Sequence, residues 1–172
     1  MRTILLLFAL ACGHLLHAQM TMVQWAYGPF ATPGDAAYII EGDPMDGGAR
    51  IHQACGPYGN KGPCLFVIEG DKVFHSSDAF GRRGPAAYIM EGDKLFRSSG
   101  AFGTKGSCAL LLEGTKVFRA DGPFGNRQEG AFVLDGSDIY LGEGTFCQRS
   151  EAILHVRGAI PMVALLTILA GL

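Results

Sequence analysis

The chain has 172 residues, enough for one domain with a real core and too few for two once its ends are set aside. Charged residues make up only 17% and glycines number 25, a balance that suits short strands and tight turns and disfavours a helical bundle. A formal net charge of -2 excludes bulk attraction to nucleic acid or to anionic membranes, so any such attraction has to be local.

Met1 and Arg2 precede the apolar run Ile4 to Leu16, and His17-Ala18-Gln19 follows. A charged start, an apolar middle and a small-residue exit predict a secretory signal peptide over residues 1–18, cleaved after Ala18. The other reading is an N-terminal anchor or a buried helix, against which the run is short for a bilayer. Export places the protein at the cell surface, in the envelope or outside the cell. It leaves Cys55, Cys64, Cys108 and Cys147, an even number in a compartment that permits disulfides. Cys55 and Cys64 flank one loop, so they are the pair expected to staple it; the partners of Cys108 and Cys147 stay open.

From residue 38 the chain repeats. Acid-glycine pairs stand at Glu41-Gly42, Glu69-Gly70, Glu91-Gly92, Glu113-Gly114 and Asp135-Gly136, the last three each 22 residues after the one before. The first interval is 28, and its extra residues, Pro44 to Ala49, read as a lengthened hairpin tip. Each pair follows a β-branched or aromatic run such as Tyr38-Ile39-Ile40, Phe66-Val67-Ile68 or Phe132-Val133-Leu134, and precedes a second short run such as Val73-Phe74 or Val117-Phe118. Glycine supplies the positive φ of a tight connection, so each unit reads as one β-hairpin.

Between hairpins lies a loop with its own signature, Gly56-Pro57-Tyr58-Gly59, Asp78-Ala79-Phe80-Gly81, Gly100-Ala101-Phe102-Gly103 and Gly122-Pro123-Phe124-Gly125. The expectation is that the glycines turn the aromatic inward to plug the gap between neighbouring units. Gly28-Pro29-Phe30 and Gly144-Thr145-Phe146 carry the same signature near the two ends, with Cys147 in the place of the loop glycine. In register, Ala152 to Val156 then holds a first-strand position and Met22 to Trp25 a second-strand position. Paired, they make a sixth hairpin and close a ring without open sheet edges. The alternative is an open solenoid, which needs capping units instead of complementary half-units.

Hairpin tips point one way and connecting loops the other. That assigns Glu41, Glu69, Glu91, Glu113 and Asp135 to one rim, and Lys61, Arg83, Lys105, Arg127 and Arg149 to the opposite one. A basic rim is a candidate surface for phosphates, anionic lipid heads or acidic polysaccharide; the plainer reading is charged loops kept for solubility. No catalytic Ser-His-Asp, Cys-His or phosphate-loop arrangement and no zinc spacing occurs, so neither a cofactor nor enzymatic activity is expected.

The fourteen residues Ala159 to Leu172 are uncharged and nearly all apolar. As a helix they would span about 21 Å, short of the roughly 30 Å hydrocarbon core of a bilayer. Three readings follow: a helix that plugs the ring, for which Pro161 suits the first turn; a membrane anchor; or a cleaved glycolipid-anchor signal attached near Ser150-Glu151-Ala152.

Short hairpins with glycine turns repeating about an axis resemble the β-flower family, and twelve strands followed by an apolar terminal helix resemble the tubby-like barrel. The resemblance covers residues 20 to 172 and rests on periodicity and topology. It implies association with phosphoinositides or other membrane lipids. The residues and the resemblance together give an all-β ring of six hairpins over 19–158. The expected role is non-enzymatic, structural or binding, at a membrane or cell envelope; the alternative is a soluble secreted binder of glycan or anionic lipid through the basic rim.

Overall fold

The structure is a computed structural model that describes residues 20–43, 48–56 and 58–172. The leader expected over 1–18 lies outside the described residues. Twelve antiparallel strands form one closed barrel: β1 (Met20–Tyr27), β2 (Thr32–Asp43), β3 (Gly48–Cys55), β4 (Asn60–Glu69), β5 (Lys72–Ser76), β6 (Arg83–Glu91), β7 (Lys94–Ser99), β8 (Thr104–Glu113), β9 (Lys116–Asp121), β10 (Asn126–Asp135), β11 (Asp138–Glu143) and β12 (Gln148–Arg157). One helix among the described residues, α1 (Met162–Ala170), follows.

Closure comes from the two terminal strands. Trp25 faces Leu154, Gln24 faces His155, Val23 faces Val156 and Met22 faces Arg157. In the hairpin β4–β5 the corresponding partners are His75 with Phe66, Phe74 with Val67, Val73 with Ile68 and Lys72 with Glu69. The seam thus repeats the hairpin register with no turn joining its strands. The first hairpin differs from the expected long tip. Gly42 pairs with Ala49 and Asp43 with Gly48, so part of the inserted stretch lengthens the strands; 44–47 lie outside the described residues.

Each hairpin is shifted two residues along its neighbour: Glu69 pairs with Lys72, which pairs with Ile89, two short of Glu91. One residue of stagger per strand tilts strands by about 36°. Eight strands at that tilt enclose a space that side chains alone can fill, and twelve enclose more.

Here α1 occupies that space. Its residues Ala164 to Leu169 are all buried, and six consecutive helical residues sample every face of a helix, so the barrel surrounds α1 on all sides. Leu165, Leu166, Ile168 and Leu169 share one core with the lumen-facing Val23, Ile51, Val73, Leu95, Val117 and Ile139. Thr167, the one polar residue in that stretch, donates its hydroxyl to the Val163 carbonyl at 2.7 Å. Gly158, at φ 117°, turns the chain inward from β12, and a side chain there would meet the Thr21 hydroxyl 2.9 Å away. Thr21 in turn donates to the Ala159 carbonyl.

Helix α1 is shorter than the whole apolar tail, running from a Pro161 cap to Gly171, whose N–H bonds the Ile168 carbonyl. No helix among the described residues is long and apolar enough to cross a membrane. Residues 150–152 lie within β12, so cleavage there, as a glycolipid signal requires, would remove the strand that closes the barrel.

Candidate binding collar on the outer wall

All six connecting loops leave the same end of the barrel, but they do not stand clear of it. Every strand pair joined by such a loop carries register shifts, whereas the tip-side pairs carry none. The bulges free backbone N–H groups, and the next loop takes them up: Cys64 N–H bonds the Ala79 carbonyl, Ala86 that of Gly100, Cys108 that of Gly122 and Gly130 that of Gly144. Side chains complete the docking. Lys94 donates to the Phe124 carbonyl at 2.7 Å, Lys116 to the Phe146 carbonyl at 2.6 Å and Arg127 to the Thr145 carbonyl at 2.8 Å. Each loop therefore folds back on the outer wall, and together they form a collar.

The last residue of each loop turns into the wall. Ala31, Gly59, Gly81, Gly103, Gly125 and Cys147 all have positive φ. Ala31 and Cys147 are buried in this role, Cys147 because Gly130 and Gly142 offer no side chain where its sulfur sits. Turning this residue inward throws the one before it outward. Phe30, Tyr58, Phe80, Phe102, Phe124 and Phe146 are between 74% and 91% exposed. The inward plug expected of these aromatics is thus wrong: the small residue behind each ring makes the wall contact, and the ring is displayed to solvent. The clue lay in the sequence as Ala31 and Cys147, apolar residues at a position where a surface turn favours glycine.

The cations expected to form a separate basic rim are also placed differently. Arg83, Lys105, Arg127 and Arg149 lie flat on the wall, over the outward rings of Phe74, Phe96, Phe118 and Tyr140, at 3.9, 4.6, 3.7 and 4.4 Å from the ring centroids. Each then reaches the acid of the preceding tip: Arg83 to Glu69 at 3.0 Å, Lys105 to Glu91 at 2.8 Å, Arg127 to Glu113 at 2.7 Å and Arg149 to Asp135 at 2.6 Å. Lys61 pairs with Glu41 at 2.8 Å and holds that carboxyl below the usual carboxylate range. In that unit the buried His52 replaces the ring, with Nδ1 on the Gly62 carbonyl at 3.2 Å and Nε2 3.4 Å from Glu41. Long side chains bridge what topology alone puts at opposite ends, so the two charged sets cancel pair by pair. An outer wall carrying these pairs is the inverse of a lipid-facing barrel wall.

The four described cysteines are free thiols. Cys55 stands opposite Asn60 and Cys64 opposite His52, three residues apart along the strands, about 10 Å, beyond the reach of a disulfide. The expected staple does not form. Burial pushes the Cys64, Cys108 and Cys147 thiols up, and each donates to a carbonyl, of Phe66, Leu110 and Phe132 respectively. Iodoacetamide near neutral pH should therefore modify the exposed Cys55 at least about tenfold faster than the other three. Peptide mass mapping reads this directly, and equal rates would contradict the burial. Among the described residues no three His, Cys, Asp or Glu side chains converge as a metal site.

No family model matches the chain, and no curated protein or solved structure matches it.

Proposed function

We propose that this is a non-enzymatic exported repeat protein that acts at the cell surface or envelope as a binding module, with the loop collar as its contact surface. The observation that carries the reading is the display of six aromatic rings at one repeat position, on a barrel whose interior is occupied by its own helix. Burying one such side chain is worth about 1.5–3 kcal/mol, so six rings held in water represent a large unused contact energy. Twelve strands around a terminal helix also support a β-flower or tubby-like architecture. The collar, not α1, is the part available to associate with an envelope.

The test compares the native protein with a Phe80→Ala/Phe102→Ala/Phe124→Ala variant. Because the rings are exposed, the variant should keep the native melting temperature and lose its retention on the envelope fraction of the producing cells. Undiminished retention would remove the collar from the function. The second reading, a secreted binder of anionic lipid through Arg83, Lys105 and Arg127, has less support, since each of these cations already holds a carboxylate.

A further inference from the structure

Beside the exposed ring of Phe124, loop and wall enclose a shallow groove. It has a volume of about 530 Å³ and is lined by Glu91, Lys94, Lys105, Leu111 and Glu113 as well as the ring. Its lining also carries Asp93, so carboxylates outnumber ammonium groups three to two, and two of the three carboxylates are held by cations. Lys105 donates to both Glu91 oxygens, at 3.0 and 2.8 Å, and Glu113 accepts from Arg127 at 2.7 Å. Lys94 spends one of its three protons on the Phe124 carbonyl. Carboxylates keep free lone pairs and the ammonium groups keep free protons, so the groove offers both acceptors and donors beside an apolar platform.

That combination discriminates among ligands. A phosphate or sulfate would meet a carboxylate within about 3 Å of the cation it needs, which opposes binding. An acyl chain would have to strip water from the ion pairs, which costs more than its contact with one ring returns. A sugar ring matches on both counts. One face presents C–H bonds that lie flat on an aromatic ring, while its hydroxyls, donors and acceptors at once, meet Glu91 and Lys94 at the edge.

We infer that the Phe124 groove takes one neutral saccharide unit, its apolar face on the exposed ring, and that the equivalent parts beside the other rings let the collar as a whole bind neutral glycan multivalently. This rests on the collar being the contact surface. The parts recur at Phe146, where Lys116 holds the ring's carbonyl and the pairs Glu113–Arg127 and Asp135–Arg149 flank it. They recur again at Phe102, between Glu69–Arg83 and Glu91–Lys105. Open grooves of this kind bind single sugars weakly; several on one rigid barrel raise avidity by about 10²–10⁴ on a polymeric ligand.

The experiment uses the exported protein and albumin carrying many copies of glucose, galactose, mannose, N-acetylglucosamine or sialic acid, with binding followed by interferometry. At least one neutral conjugate should bind. Phe102→Ala/Phe124→Ala/Phe146→Ala should weaken that binding at least about a hundredfold at unchanged melting temperature, and Phe124→Trp should retain it. Absence of binding to every neutral conjugate, a preference for the sialylated one, or full binding by the triple alanine variant overturns the inference. Envelope retention of the same variant separates the two levels of failure: if retention is lost while no sugar binds, the collar stands and the saccharide falls; if retention is kept, both fall.

Discussion

Replacing Leu166 by alanine should lower the free energy of unfolding by about 3–5 kcal/mol, and Leu166→Lys should leave no cooperative unfolding transition at all. Leu166 is fully buried in a helix that the barrel encloses on every side. A helix packed on an open surface can shift to close a gap. One threaded through a ring of hydrogen-bonded strands has nowhere to move, so the cavity left by alanine stays open and the cost lies toward the upper end of the usual range. A lysine at this position would place its ammonium group in an apolar core, unpaired. Urea titration with an unchanged m-value measures the alanine effect. A loss below about 1 kcal/mol would mean that α1 does not reside in the barrel under those conditions.

The second large effect is expected at two glycines that make room for Cys147. A side chain at Gly130 would sit 2.5 Å from the Cys147 Cα, which is backbone, whereas one at Gly142 would collide first with the Cys147 sulfur. Neither glycine has the positive φ that would strain alanine by itself. Gly130→Ala and Gly142→Ala should each destabilise by about 1–3 kcal/mol through overpacking. Adding Cys147→Gly separates them. It removes the sulfur and also relieves a side chain held at φ 49°, so it should recover much of the loss at Gly142 and little at Gly130. Equal rescue at both sites would show that the loop moves as a whole instead of being pinned by the wall. Thermal melts of the two single and two double variants settle the comparison.

The architecture was legible because its cause is local and repeated. The glycine after each acid sets a hairpin, the 22-residue spacing sets the count, and half-units at both ends imply the seam that Val23 and Val156 make. Bulges were not legible, since Gly130 or Ser107 could equally belong to a regular strand; without them nothing says that the loops fold back. From that one omission followed the inward placement of Phe102 and Phe124 and the separation of charges into two rims. The reach of Arg83 across Phe74 to Glu69 depends on strand tilt, which no spacing along one strand reveals. The apolar tail was ambiguous for a different reason. A helix buried on all faces and a helix bound for lipid have the same composition, and only the width of a twelve-stranded lumen distinguishes them.

A single helix inside a ring of six hairpins is a mismatch of symmetry. Rotating the barrel by one unit brings the wall onto itself but turns α1 to a different face. The two surfaces of each strand are therefore under different demands. Outward positions can stay near-identical, as Phe74, Phe96 and Phe118 do beneath their cations. Lumen positions cannot, and the equivalent set Tyr38, Phe66, Tyr88, Leu110, Phe132 and Leu154 ranges from tyrosine to leucine around the same core. The helix thus gives every unit a distinct address. Exchanging whole hairpins should preserve the collar while wrecking the interior, so the six units, similar as their outer faces are, are not interchangeable.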